Sequence, residues 1–170
     1  MEPEEKQISV RSEEVALWSN TAQTIFSEMV TYFKRHSNLG LSEKTGGVLC
    51  VMDKETGVTV ATFLVGSAPK NKLQRYIFLA QVKAERLYKH LPHHLTSYES
   101  RDPKQDHWSG AIVGSYYIFS FSGFSEDTDS FASLAVASQT GNIERGQAEK
   151  IIKLAAIVRL TRIPEFEKLL

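Results

Sequence analysis

Two strand pairs joined by short connections constrain the fold of this chain more than any other feature of its sequence. The first pair is the apolar run 47–52 (GVLCVM) and the β-branched and aromatic run 58–65 (VTVATFLV), with a glycine-containing turn between them. The second pair is shorter, with residues 110–113 leading through a Gly-Ser step into the strand 116–121 (YYIFSF). Because hairpins join antiparallel neighbours, the sequence predicts a central antiparallel sheet.

Amphipathic helices are predicted between and after the hairpins. A one-sided apolar stripe predicts a first helix with Ser12 as its N-cap and its end at 38–40, and a second helix over about 71–91, stopped by Pro92. A third helix is expected to start near Ser125, although its Ser- and Ala-rich part, 130–139, fits either a helix or an extended segment. A final helix is predicted over about 144–160, before Pro164. The expected fold is therefore a single α+β (α/β) domain, a sheet flanked by helices.

Length and charge narrow the class of protein. The chain has 170 residues and 42% hydrophobic content, which fits one globular domain. Its formal net charge is zero, so it has no overall electrostatic field that would attract nucleic acid. No apolar run approaches the roughly 18 residues that a membrane helix needs. Residues 1–11, which begin MEPEEKQ, are interpreted as a flexible leader and not a signal peptide, and Cys50 as a core residue, so we expect a cytoplasmic location.

The order of several short motifs resembles the GlcG/HbpS-like, or haem-degrading-domain, family. That family has an aspartate at the end of a strand, a glycine turn, a Gly-Ala step, a Lys-Ala pair in a helix, a GAIVG-like run, a Ser-Gly strand end and a later aspartate. The matching residues are Asp53, Gly57, Gly66, Ala68, Lys83, Ala84, Gly110 to Gly114, Ser122, Gly123 and Asp129. The resemblance covers about residues 12–140. The chain departs from the family pattern at 106–109 (DHWS), where the family often has a glycine-rich segment before the second hairpin. Residues 141–170 are interpreted as a C-terminal helical extension packed on the domain.

The resemblance implies a profilin-like fold, a homo-oligomer, and binding of haem or another small ligand. The function hypothesis that follows is a small-ligand-binding or accessory protein. A second hypothesis is an oligomeric interaction scaffold of the profilin-like or roadblock-like type. An enzyme is not favoured, because no catalytic constellation is present in the sequence.

Histidines near the 93–109 loop are the candidate ligands for a haem iron or a metal ion. His93, His94 and His107 have the residue type that binds iron or zinc, yet His93 and His94 are adjacent and would point in opposite directions in an extended segment. Exposed loop histidines are the alternative interpretation.

The strand-to-helix junction within 116–129 (YYIFSFSGFSEDTD) supplies the remaining candidates for a ligand site. Ser122, Gly123 and Asp129 lie there, and Trp108 adds an aromatic ring from the 93–109 loop. We expect a pocket between this junction, the turn 66–69 and that loop. The carboxylates of the junction fit a cation site or an acid–base pair, but helix capping explains them as well. A nucleophile role for Ser122 is rejected, since no histidine follows it in the chain.

Overall fold

Strand β1 (Gly46–Asp53) lies at the centre of the sheet in a computed structural model that describes residues 9–170. It pairs antiparallel with β2 (Thr59–Gly66) on one side and with β4 (Tyr117–Ser122) on the other, and β4 pairs antiparallel with β3 (Ala111–Val113). The strand order is thus β2-β1-β4-β3. The predicted antiparallel sheet is confirmed, and each predicted strand end lies within one residue of the observed one.

Helices cover both faces of this sheet, which confirms the α+β fold. One face packs against α2 (Lys70–Lys89). The other face packs against a layer formed by α1 (Ser12–Arg35), α3 (Glu126–Gln139), α4 (Arg145–Leu154), α5 (Val158–Thr161) and α6 (Pro164–Glu167). Within residues 9–170, none of the helices combines the length and the apolar character that crossing a bilayer requires. The first eight residues of the predicted leader lie outside the described part of the chain.

The two-sided cover explains why β1 is a continuous apolar run. Its even-numbered side chains, such as Cys50, pack against α2, and its odd-numbered ones, such as Leu49, face the α1 layer. In β4, Ile118 belongs to the α2 side and Phe119 to the α1 side, as the alternation predicts. Cys50 is 1% exposed, and burial raises the pKa of its thiol to about 11, which fits a core residue.

The Ser- and Ala-rich segment 130–139 is helical and forms most of α3. Its residues are buried on nearly all sides, because α3 lies between the sheet and α1. Small side chains permit this close packing, and their hydroxyls bond to backbone groups. The Ser133 Oγ donates to the Gly110 carbonyl (2.6 Å) and accepts from the Phe121 N–H (2.9 Å).

The single helix predicted over 144–160 is wrong, since the chain forms α4 and α5 with a break between them. Ala156 adopts a left-handed conformation with φ of 57°. The Ile157 N–H donates to the Ile152 carbonyl and the Ala156 N–H to the Lys153 carbonyl, the hydrogen-bond pattern of a Schellman helix end. Glycine is the usual residue at such a position, and alanine gives no signal of it in the sequence.

Other predicted helix boundaries also need correction, and one of them is the end of α1, which lies at Arg35 and not at 38–40. Arg11, not Ser12, occupies the N-cap position of α1. Pro164 does not merely end the preceding segment, because it opens α6. In α6, Phe166 is 1% exposed and its ring lies 5.1 Å from that of Phe131, so the C-terminal extension shares the core of the domain.

Candidate functional site

An open cleft of about 410 Å³ lies between α2 and the junction of β4 with α3. We call it the Lys83 cleft. Its walls come from one face of α2, from the junction and from the 93–109 loop, with the lining residues Arg75, Tyr76, Leu79, Lys83, Trp108, Ser122, Phe124, Ser125, Glu126 and Asp129.

A buried ion pair forms the floor of the Lys83 cleft. The Lys83 Nζ lies 3.0 Å from the Asp129 Oδ2, and the two side chains are only 2% and 5% exposed. The Nζ also donates to the carbonyl of Phe121, at 3.0 Å. Lys83 is on the sheet-facing side of α2 with Ala80 and Ala84, and the small size of those alanines leaves room for its long side chain.

The Asp129 carboxylate sits in a largely desolvated environment. Its Oδ1 accepts a hydrogen bond from the Phe124 N–H (2.8 Å), while its Oδ2 accepts from Lys83. Burial raises the pKa of Asp129, and the Lys83 ammonium and the Phe124 N–H oppose that rise only in part. The carboxyl group therefore holds a proton more readily than an exposed aspartate does.

Two hydrogen-bond donors at this floor have no partner within residues 9–170. An ammonium has three N–H groups, and Lys83 uses two of them, on Asp129 and Phe121. Ser122 is 2% exposed and lines the cleft, and its hydroxyl makes no hydrogen bond to the described residues. Both groups border the cleft, so an acceptor atom of a ligand that enters the cleft can bind to them.

Gly110 permits the approach of Lys83 to the sheet. A Cβ atom at this position would lie 2.6 Å from the Lys83 Nζ and 2.7 Å from the Phe121 carbonyl oxygen, and its φ of 140° disfavours other residues. A glycine at 110 is thus a requirement of the buried ion pair.

The 93–109 loop is anchored at two points beside the Lys83 cleft. Arg86 donates from its Nε to the Ser100 hydroxyl and from its Nη2 to the carbonyls of Ser97 and Trp108. At the other point, Glu126 accepts from the Arg101 guanidinium and from the Ser109 N–H, at 2.8 and 2.9 Å. These contacts hold Trp108 at the wall of the cleft.

The rim of the cleft carries a second ion pair. Arg75 pairs with Asp106, and the Trp108 indole N–H donates to the same carboxylate. Hydrogen bonds from Arg75 and Trp108 lower the pKa of Asp106. Both Arg75 and Asp106 are well exposed, at 49% and 43%, so this contact is open to solvent and to a ligand.

The structure brings only some of the predicted site residues together. Trp108, Ser122 and Asp129 line the Lys83 cleft. Gly123 lies at the junction but serves packing, because a Cβ there would be 2.6 Å from the Gly47 Cα. The turn 66–69, predicted as one border of the pocket, contributes no lining residue.

The candidate histidines lie elsewhere. His107 lines a separate groove with Arg86 and Lys89, and His93 is exposed. The His94 ring stacks on His90 at 4.5 Å, and its Nδ1 is buried with no hydrogen-bond partner within residues 9–170. Among those residues, no three His, Cys, Asp or Glu side chains converge in a way that could hold a metal ion.

The acidic residues of the junction have separate roles. Asp127 Oδ1 accepts from the Thr128 N–H at 2.8 Å in the first turn of α3, which agrees with helix capping. Capping does not account for Glu126, which anchors the loop, or for Asp129, which pairs with Lys83. All three carboxylates lie in the first turn of α3, as the interpretation requires, and Glu126 and Asp129 have these contacts in addition.

Comparisons with known proteins give no identity. No protein-family model matches the chain, and no curated protein or solved structure is significantly similar to it. Membership of the GlcG/HbpS-like family therefore stays a prediction. Two of the residues that carry that resemblance, Lys83 and Asp129, are the partners of the buried ion pair.

Proposed function

We propose that this protein binds a small molecule in the Lys83 cleft. The observation that carries the proposal is the pair of donors without partners, Ser122 Oγ and the third N–H of Lys83, at the floor of an open cleft. A ligand with an oxygen atom at this point would accept hydrogen bonds from these donors, and one such bond contributes about 0.5–1.5 kcal/mol.

The cleft lining indicates the chemistry of the ligand. Tyr76, Trp108 and Phe124 supply aromatic surface, which favours a planar body. The charged side chains are compensated in pairs, Lys83 by Asp129, Arg75 by Asp106 and Glu126 by Arg101. We therefore propose a small planar ligand with an oxygen acceptor and little net charge.

The lining gives no support for haem as that ligand. Haem iron is most often held by histidine, cysteine or methionine, and none of these lines the Lys83 cleft. A hemin titration tests the haem hypothesis directly. A Soret shift that disappears in His93→Ala, His94→Ala or His107→Ala would place a haem site outside the cleft.

A matched pair of serine variants tests the cleft as the binding site. Uncharged planar aromatic carbonyl compounds are screened by ligand-observed NMR, and hits are mapped on amide chemical shifts. Ser122→Ala is expected to weaken a hit by about tenfold, the effect of one lost hydrogen bond. Ser120→Ala, a buried serine of the same strand that does not line the cleft, should leave affinity unchanged. Binding that is insensitive to Ser122→Ala, or shifts that map elsewhere, would refute the proposal.

We propose an oligomeric scaffold as the second candidate, because two large apolar side chains on α2, Ile77 and Phe78, are 43% and 53% exposed. The sheet edges are less suited to assembly. The Gln23 side chain bonds to the Leu64 carbonyl and the Gly66 N–H on β2, and the Val113 N–H of β3 donates to the Leu95 carbonyl. Light scattering during size exclusion tests this candidate. A dimer that dissociates in Phe78→Glu would support it, and a monomer at high concentration would reject it.

A further inference from the structure

We infer that the ligand of the Lys83 cleft is an aldehyde or ketone and that the Lys83 Nζ forms a reversible imine with it. The inference rests on the proposed function, since the cleft must first bind the carbonyl compound. It adds a reaction, in which the lysine is a nucleophile and Asp129 its proton acceptor and donor.

The position of Lys83 separates it from the other lysines of the same helix. Lys70 and Lys72 are exposed at the start of α2, whereas the Lys83 Nζ is enclosed at the floor of the cleft, 3.0 Å from a carboxylate. A lysine amine must lose a proton before it can attack a carbonyl carbon, and an adjacent group that accepts this proton promotes the attack. Asp129 is placed to be that group.

The state of Asp129 supports the proton transfer. Because burial raises the pKa of this carboxyl group, moving a proton from the Lys83 ammonium to Asp129 replaces two buried charges by two neutral groups. The Phe124 N–H on Oδ1 leaves Oδ2 as the oxygen that exchanges the proton with Nζ. The backbone contact of Nζ with the Phe121 carbonyl fixes the position of the amine beside it.

The steps balance without a further reactant. The Lys83 ammonium gives one proton to Asp129, and the amine lone pair forms a C–N bond to the carbonyl carbon as the C=O π pair moves to oxygen. That oxygen takes a second proton from the nitrogen, and the C–O bond of the resulting carbinolamine breaks as Asp129 returns its proton, so that water leaves. Two of the three ammonium protons thus depart with the carbonyl oxygen. The product is a protonated imine beside the Asp129 carboxylate, and no electrons are gained or lost.

Ser122 has a positioning role in this scheme. Its hydroxyl lines the cleft beside Lys83 and has no partner within residues 9–170, so it is available to donate to the carbonyl oxygen. Donation to that oxygen increases the electrophilic character of the carbonyl carbon, and it takes up the negative charge that develops during the attack.

Reductive trapping of the wild-type protein tests the inference. The protein is incubated near neutral pH with 4-hydroxybenzaldehyde and cyanoborohydride, which reduces an imine to a stable amine, and labelled lysines are identified by peptide mass spectrometry over time. Lys83 should be labelled at least tenfold faster than Lys70 and Lys72. Asp129→Asn should slow the labelling of Lys83 at least tenfold and leave that of Lys70 and Lys72 unchanged, and Ser120→Ala should leave all three rates as in the wild type.

A ligand that cannot form an imine separates this inference from the proposed function. 4-Hydroxybenzamide has a similar planar shape and a carbonyl oxygen, and its binding is followed by amide chemical shifts. If the amide binds in the cleft while Lys83 is labelled no faster than Lys70 and Lys72, the imine is refuted and small-ligand binding stands. If the amide does not bind and Lys83 is not preferentially labelled, both are refuted. Should Asp129→Asn fail to fold, the comparison of lysines in the wild-type protein decides alone.

Discussion

Ser120 and Ser122 lie on the same face of β4, at 0% and 2% exposed, yet only Ser122 lines the Lys83 cleft. The Ser120 Oγ is enclosed between the sheet and α2 and has no hydrogen-bond partner within residues 9–170. One hydroxyl thus faces a space that a ligand can fill, and the other faces packed side chains. Substitution of Ser122 therefore tests ligand binding, and substitution of Ser120 tests stability.

Ser120→Ala should stabilise the protein. The substitution removes a buried hydroxyl that lacks a partner, and an unsatisfied group of this kind costs about 1 kcal/mol or more. We expect the free energy of unfolding, measured by urea denaturation, to rise by about 1 kcal/mol. Ser122→Ala should change it by less than about 0.5 kcal/mol, because the cleft gives that hydroxyl access to water. A loss of stability in Ser120→Ala would show that its hydroxyl has a partner in solution.

Lys83→Met should destabilise the fold by about 3 kcal/mol, because it leaves the Asp129 carboxylate buried without its counter-ion. Methionine preserves most of the length of the side chain, so the loss reports the charge and not a cavity. The double variant with Asp129→Asn should lose less than the sum of the two single variants, since neither buried charge remains. Urea denaturation of all four proteins gives the coupling free energy. Additive losses would mean that the two side chains contribute independently.

The strands were predictable because their signal is local. Apolar runs of strand length and glycine-containing turns are enough to place β1 to β4 within one residue. The end of α4 was not predictable, because Ala156 takes a left-handed conformation that is usual for glycine. The Ser- and Ala-rich composition of α3 is ambiguous in the sequence for a physical reason: a helix buried on nearly all sides has no polar face to mark its period.

The candidate site was predictable only on one side. Trp108, Ser122 and Asp129 follow from the junction and the loop, but the α2 wall does not, since the position of Lys83 toward the C-terminus of its helix indicates only a favourable interaction with the helix dipole. The sequence does contain a signal, since Lys83 lies on the same helical face as Ala80, Ala84 and Leu87. Its contact with Asp129 joins residues 46 positions apart, and nothing in the local pattern predicts it.

The stability contribution of Asp129 should decrease as pH rises. Burial raises the pKa of this group in the folded protein above the value of 3.8 that applies to an exposed aspartate. Between the pKa of Asp129 in the unfolded state and its higher pKa in the folded state, the folded state binds more protons. The contribution of Asp129 to the free energy of unfolding therefore falls as pH rises from the first pKa to the second, by about 1.4 kcal/mol for each unit between them. Above the folded-state pKa this contribution is constant. The measurement is the unfolding free energy of the wild type minus that of Asp129→Asn, from about pH 4 to about pH 8.

Asp106→Asn provides the comparison of opposite sign. Arg75 and Trp108 lower the pKa of Asp106 in the folded protein. The contribution of Asp106 to stability is therefore fully present above its unfolded-state pKa and is lost as pH falls through its folded-state pKa. The wild-type minus Asp106→Asn difference should therefore increase with pH, weakly, since the group is exposed. A difference for Asp129 that also increases with pH would contradict the raised pKa and would weaken its assignment as a proton acceptor.

Glu126→Gln should loosen the 93–109 loop beside the Lys83 cleft without unfolding the domain. The substitution removes the charge that holds Arg101 and weakens the hydrogen bond to the Ser109 N–H. We expect hydrogen exchange of the Ser109 amide to accelerate by about tenfold, as the loss of one backbone hydrogen bond to a charged acceptor implies. Glu149→Gln is the matched control, because its pair with Arg145 lies on the exposed surface of α4 and touches neither the loop nor the cleft. Unchanged exchange at Ser109 would mean that other contacts, such as those of Arg86, are enough to anchor the loop, and the wall that Trp108 forms would then not depend on Glu126.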